Sequence, residues 1–314
     1  MRRVLPFVCP PSYPFWRQWV AALQEAMPDE HVVVFHELDA RDLASCDVAV
    51  VANPSIEDLR ALPNLKWVHS VWAGVERLVA DLGDLDLKIV RLVDPVMAET
   101  MSEAVLAWTL YLHRDMPRYA KQQASREWLE HEYVGAGDKT VSLLGLGALG
   151  TASAVKLRGA GFQVCGWSRT RKSISGVQCY AGEEELLQML GRTDILVCLL
   201  PLTSKTEGIL SAEVLGALPQ GASIINFARG PVVDEHALRR ALDESKLSHA
   251  VLDVFNREPL PVNAWQWAHP RVTVLPHISG PTNRRTASAL AAANILNYRT
   301  TGVLPISVDR KTGY

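Results

Sequence analysis

A short apolar run, Val141-Ser142-Leu143-Leu144, passes directly into Gly145-Leu146-Gly147-Ala148-Leu149-Gly150, and a helix-compatible stretch starts at Thr151. A G-x-G-x-x-G motif with a strand before it and a helix after it leaves the chain little freedom. The first glycine permits a tight turn. The second lets the backbone approach a pyrophosphate, and the third lets the helix lie close to the strand. The helix N-terminus then presents N–H groups that have no intrahelical partner, and an anion satisfies them. A glycine-rich turn that binds nothing is the competing reading, and the flanking elements weigh against it. The segment predicts a doubly wound sheet with a dinucleotide held at Gly145, Gly147, Ala148, Leu149 and Gly150.

The rest of the chain has the matching pattern. Apolar runs at 4–8, 32–35, 48–52, 67–71 and 89–93 alternate with helix-like stretches at 15–27, 56–62 and 75–79, which makes one βα domain. A long helix is expected over 98–116, ended or bent by Pro117. A second series of runs at 141–144, 163–167, 195–200, 223–227, 250–254 and 272–275 has the size of a dinucleotide-binding domain. The closing helix, 284–298, comes after the second sheet is complete and is expected to pack back on the first domain. The fold class is therefore α/β, with two doubly wound parallel-sheet domains.

At 314 residues the chain can bury two cores. Its formal net charge of −2 speaks against a nucleic-acid or anionic-membrane partner, and no apolar run is long enough to span a bilayer. The N-terminus begins like a secretory signal, but the apolar stretch stops at Pro10-Pro11 without a small-residue cleavage site, so it reads as a first strand. The five cysteines, Cys9, Cys46, Cys165, Cys179 and Cys198, are scattered without a C-x-x-C pair. That spacing favours a reducing cytoplasm and offers neither a disulfide framework nor a zinc site.

Charged residues then fall at telling places. The second strand of the second series ends at Trp167-Ser168-Arg169-Thr170-Arg171-Lys172, where an NAD site has an acidic residue for the ribose hydroxyls. Serine followed by three cations suits a 2′-phosphate instead, so NADP is expected, held by Ser168, Arg169 and either Arg171 or Lys172. A solvated basic loop is the competing reading. Arg229, Glu258 and His277 stand just after three later strands, where α/β sheets bind ligands. Reduction of a 2-keto acid needs a cation on the carboxylate and carbonyl, a proton donor for the forming alkoxide, and a group that keeps that donor charged. Arg229, His277 and Glu258 supply these in turn, since a carboxylate beside an imidazole favours its charged form. Asp253 ends a strand and either orients the nicotinamide or caps a turn. The remaining histidines, including His31, His113 and His249, read as ordinary structural residues.

Over essentially its whole length the chain resembles the D-isomer-specific 2-hydroxyacid dehydrogenases. The resemblance is carried by the glycine loop, by Leu200-Pro201-Leu202-Thr203, by Asn226-Phe227-Ala228-Arg229-Gly230, by the stretch from Asp253 through Asn256-Arg257-Glu258-Pro259-Leu260, and by Pro276-His277. Within that family it is most similar to the glyoxylate/hydroxypyruvate reductase A branch, through residues 167–172 and 253–261 and the ending 308–314. The resemblance implies a flavodoxin-like substrate domain of residues 1–98 and 282–314, with a Rossmann NADP-binding domain of residues 99–281 inserted in it. It implies Arg229, Glu258 and His277 as the catalytic set, Pro201, Leu202 and Asp253 on the coenzyme, and the loop of Trp72, Ala73 and Gly74 on the substrate carboxylate. A small 2-keto acid is the expected substrate, and a homodimer the expected assembly. Trp108 and Tyr111 give the long helix more apolar surface than one face needs. A nucleotide-sensing scaffold of the same fold is the alternative from another class. Formate dehydrogenases, which have Gln in place of Glu258, fit less well.

Overall fold

The computed structural model describes residues 2–83, 85–310 and 313, so the last part of the 308–314 ending lies partly outside the described residues. The chain divides into two compact units, residues 1–96 with 282–314, and 97–281.

In the first unit, strands β1 (Arg3–Val8), β2 (Glu30–Val34), β3 (Val48–Val51), β4 (Trp67–Ser70) and β5 (Lys88–Val90) alternate with helices α1 (Trp16–Ala26), α2 (Ala40–Ser45), α3 (Ile56–Arg60) and α4 (Glu76–Asp81). The sheet order is β2-β1-β3-β4-β5, all pairs parallel, which is the flavodoxin-like winding. The sequence pattern did not mark α2. Its six residues are too few for a helical stripe, and it is held by Asp39, whose carboxylate accepts the Arg41 and Asp42 N–H groups.

The second unit takes in most of α5 (Pro95–His113) and then α6 (Met116–Ser125). Pro117 does not end α5. The chain breaks two residues earlier, where Asp115 takes φ 52°, and Pro117 sits in the first turn of α6, where a missing N–H costs nothing. Then follow β6 (Thr140–Leu144), α7 (Ala148–Gly159), β7 (Gln163–Trp167), β8 (Gln178–Tyr180), α8 (Glu183–Leu190), β9 (Ile195–Cys198), α9 (Ala212–Ala217), β10 (Ala222–Asn226), α10 (Glu235–Asp243), β11 (Leu247–Leu252) and β12 (Val272–Val274). The seven strands run in the order β12-β11-β10-β9-β6-β7-β8, with the winding reversing between β6 and β9. The edge strand β8 has no apolar run of its own, and its pairing with β7 makes it a strand.

Alternate residues of the central strands serve opposite cores. Leu144, Leu196, Cys198 and Ile224 join one cluster, while Val141, Leu143, Ile195, Val197 and Ile225 join the other. A sheet apolar on both faces reads in sequence as unbroken hydrophobic runs, which is why these strands were legible.

The last helix, α11 (Arg284–Thr301), returns to the first unit and packs beside α1. The Tyr298 ring meets Trp67 edge-on at 5.4 Å and its hydroxyl donates to Asp47 at 2.8 Å. Arg299 donates to Glu30 at 2.9 Å and also pairs with Asp47. These ion pairs tie the chain's C-terminal part to the sheet that its N-terminal part began.

Candidate active site

The parallel strands of the second unit put the residues after β6, β7, β10, β11 and β12 on one edge of the sheet. At β6 the glycine loop has the geometry its composition called for. Gly145 has φ 102°, closed to most side chains, and its N–H donates to the Trp167 carbonyl at 2.8 Å. A Cβ on Gly150 would lie 1.8 Å from the Gly145 carbonyl oxygen, so only glycine lets α7 come this close. Gly147 is exposed and faces open space. The first intrahelical bond runs from Thr151 N–H to Gly147 carbonyl, which leaves the Ala148 and Leu149 amides at the helix start without an intrahelical partner. A bare backbone concavity with positive dipole ends fits a pyrophosphate.

After β7, Ser168 is half-buried and its hydroxyl donates to the Thr170 carbonyl at 2.8 Å. Arg171 is turned away toward α8. It pairs with Glu185 and donates to the Cys179 carbonyl at 2.9 Å. Of the alternatives Arg171 and Lys172, the structure therefore has the arginine already engaged with α8 and the Cys179 carbonyl. Pro201 and Leu202 follow β9 in a turn closed by Thr206, whose hydroxyl donates to the Pro201 carbonyl at 2.6 Å; the Leu202 side chain packs on the core.

Arg229, Glu258 and His277 are supplied by the loops after β10, β11 and β12. His277 Nδ1 and Glu258 Oε2 are 2.7 Å apart, with side chains 50% and 36% exposed, so the pair is open to solvent on one side. Because Nδ1 is taken by the carboxylate, Nε2 is the nitrogen left to exchange a proton. Glu258 is itself aimed: its Oε1 accepts the Phe255 N–H at 2.9 Å. His277 has φ 55°, a left-handed conformation costly for a residue with a Cβ. Asp253 compensates. It is 2% exposed, and its two carboxylate oxygens accept the Ile278 and Ser279 N–H groups, each at 2.8 Å. Of the two readings of Asp253, the turn anchor is the one its contacts express. The Arg229 backbone is held by Asn226, whose side chain donates to the Arg229 carbonyl and accepts the Ala228 N–H, both at 3.1 Å.

Other reactive groups are set aside by burial. His249 is pushed down to about 4, first by burial and then by Lys121 and nearby cations, and it bonds Thr273 Oγ1 at 2.9 Å. Burial likewise pushes His69 down to about 4. The Cys9 and Cys198 thiols are pushed up to about 11 and about 12, chiefly by burial, so neither is a nucleophile near neutral pH.

In the first unit, the loop after β4 carries Trp72, Ala73 and Gly74, all half-buried. Trp72 stands edge-on to Tyr13 at 6.4 Å and to Trp19 at 6.0 Å, and its backbone N–H donates to Ser70 Oγ at 3.0 Å. Packing thus accounts for much of this tryptophan.

A doubly wound sheet whose reversal point carries a glycine-rich phosphate loop, with a carboxylate–imidazole pair on the same edge, defines a dinucleotide-fold oxidoreductase. Comparison with known proteins narrows the class. A family model for the D-isomer specific 2-hydroxyacid dehydrogenase NAD binding domain matches residues 106–279. The chain belongs to the D-isomer-specific 2-hydroxyacid dehydrogenases. It is similar at 38% identity and TM-score 0.93 to a D-isomer specific 2-hydroxyacid dehydrogenase of Xanthobacter autotrophicus Py2, solved with NADPH and MES, with all of both chains covered. It is similar at 34% identity and TM-score 0.90, again over all of both chains, to an NADPH-dependent glyoxylate/hydroxypyruvate reductase of Sinorhizobium meliloti, solved with NADP and sulfate.

Proposed function

We propose that this dehydrogenase reduces glyoxylate, hydroxypyruvate or a similarly short 2-keto acid to the 2-hydroxy acid with NADPH. The observation that carries the reading is the 2.7 Å contact between His277 Nδ1 and Glu258 Oε2 on the ligand-binding edge of the sheet. The similarity to the Sinorhizobium reductase supports the substrate class. NADPH, when bound, supplies a hydride to the carbonyl carbon. Residues of this chain do the rest. Gly145, Gly147, Ala148, Leu149 and Gly150 hold the pyrophosphate by backbone N–H groups. Arg229 donates from its planar fork to the carboxylate and carbonyl, drawing electron density toward the oxygen. His277 gives its Nε2 proton to that oxygen as charge develops there, and Glu258 stabilises the imidazolium before transfer. The first unit is the substrate domain in this reading, with the Ala73 and Gly74 amides on the carboxylate. Turnover of glyoxylate with NADPH tests the whole assignment, and none above background would leave the nucleotide-sensing scaffold as the better account.

Coenzyme choice is assigned to the loop after β7. Ser168 leaves room for a 2′-phosphate, and Arg169 and Lys172 offer charge-assisted hydrogen bonds worth about 1.5–3 kcal/mol each, so one such bond gives roughly a tenfold to hundredfold preference. Arg169→Ala is expected to lower kcat/KM for NADPH by that factor and to leave NADH nearly unchanged. Ser168→Asp should reverse the preference by repelling the phosphate and accepting from the ribose. Both are read at one moderate ionic strength, because salt screens exposed charges. Equal losses with the two coenzymes would reduce the cluster to a solvated loop.

The assembly is proposed to be a homodimer in the cytoplasm. Trp108 and Tyr111 are half-buried: they pack in part on the second unit's own core, 5.1 Å apart, and leave the rest of their surface open. Further apolar surface lies beyond the helix, at Trp128 (97% exposed), Leu129 and Tyr133. The unpaired state of all five cysteines fits a reducing compartment. Light scattering at low micromolar concentration should give twice the mass of one chain, and Trp128→Glu should shift it toward the monomer. A single-chain mass for the unaltered protein would refute the dimer.

A further inference from the structure

Glu235, in the first turn of α10, makes contacts that a surface helix residue does not need. Its Oε1 accepts Trp265 Nε1–H at 2.7 Å and Gln266 Nε2–H at 3.0 Å, and its Oε2 accepts Asn256 Nδ2–H at 3.1 Å. All three donors are neutral, so the carboxylate acts as a hub of hydrogen bonds rather than as half of an ion pair. Asn256 lies inside the loop that carries Glu258, one residue after the Phe255 N–H that aims the Glu258 carboxylate. The same loop is pressed from the other side. A Cβ on Gly230 would lie 2.0 Å from the Phe255 carbonyl carbon and 2.3 Å from the Asn256 nitrogen, so the chain just after Arg229 rests directly on that peptide. The loop is therefore clamped between the Arg229–Gly230 backbone and the Glu235 side chain.

From these contacts we propose that Glu235 is a positioning residue for the reaction: through Asn256 it holds the Phe255–Glu258 loop in the register that keeps Glu258 against His277. The proposal rests on the assignment of Glu258 as the partner of His277. Position, not charge, is what Glu235 contributes. Glutamine in its place keeps an acceptor for Trp265 and Gln266, and its amide can donate to Asn256 once that side chain turns over. Ionisable groups on the loops after β10, β11 and β12 include Arg229, Asp253, Arg257, Glu258 and His277; Glu258 touches the imidazole, and Asp253 holds the two amides that follow it.

The test is the pH dependence of glyoxylate reduction by NADPH in the full-length Glu235→Ala, Asn256→Ala, Glu235→Gln and Glu258→Gln variants, with thermal unfolding measured for each. Reduction needs a protonated imidazole, so activity falls as pH rises. A carboxylate that has drifted from the imidazole lets it lose its proton sooner. Glu235→Ala and Asn256→Ala should therefore move the alkaline fall to lower pH, in the direction of Glu258→Gln but by less. Turnover should drop by about tenfold, short of the roughly 10²-fold that a 1 Å misplacement can cost. Glu235→Gln should restore the unaltered profile. The proposal is overturned if both alanine variants keep that profile and merely unfold earlier, or if Glu235→Gln behaves like Glu235→Ala, which would make the charge itself responsible. If Glu258→Gln leaves the profile in place, the assignment of Glu258 fails, and the role of Glu235 falls with it.

Discussion

His277→Ala is expected to lower the turnover of 2-keto acid reduction by about 10²–10⁴-fold, the usual worth of a general acid. The reason is local. The carbonyl oxygen gains a negative charge as the hydride arrives, and the imidazole is the group on this edge that can give it a proton. Nδ1 is held by Glu258 at 2.7 Å, which leaves Nε2 for the substrate. The KM for NADPH should change little, since the glycine loop lies after β6 and its contacts are made by backbone. Glu258→Gln should act differently. It keeps the shape but removes the charge, so activity should survive at low pH and be lost at lower pH than in the unaltered enzyme. Rates are best measured over the full pH range, in single turnover, so that slow product release does not hide the chemical step. Near-normal turnover in His277→Ala would end the assignment.

Arg229→Lys is the second large effect, with kcat/KM for the keto acid expected to fall by about 10²–10³-fold, comparable to the loss of one oxyanion donor. The substitution keeps the positive charge. What it removes is the planar pair of N–H donors that can reach carboxylate and carbonyl together. The backbone on either side should largely keep its course, because Asn226 holds the Arg229 carbonyl and the Ala228 N–H whatever side chain follows, although the substitution gives up the Arg229 Nη1 donation to the Ala228 carbonyl at 2.7 Å. KM should therefore rise and kcat fall together, while the thermal unfolding temperature stays close to that of the unaltered enzyme. A variant with an unchanged KM for the keto acid and weakened NADPH binding would reassign Arg229 to the coenzyme.

Much of this was legible in the linear sequence, for a physical reason that differs from feature to feature. The phosphate loop is a matter of backbone sterics. A turn at φ 102° and a helix residue whose Cβ would lie 1.8 Å from the Gly145 carbonyl oxygen admit glycine and little else, so the residues themselves declare the geometry. The central strands show because a sheet covered on both faces takes apolar side chains at most positions. Arg229, Glu258 and His277 could be picked out as residues standing just past such strands.

Tertiary structure decided what depends on residues far apart in the chain. Gln178–Tyr180 is a strand only because β7 is beside it, and Arg171, three residues after Ser168, is drawn away by Glu185. Nothing near His277 in sequence announces its left-handed backbone, which is held by Asp253, whose carboxylate reaches the amides of Ile278 and Ser279 from the neighbouring strand. Trp108 and Tyr111 read as surplus surface because a helix's own pattern cannot say how many neighbours it has, and the core covers part of each. Local sequence sets what each segment can be, through sterics and burial within a few residues. Which partner completes it is settled by the return of the chain, because a hydrogen bond or an ion pair is specified by both ends and a single segment contains only one.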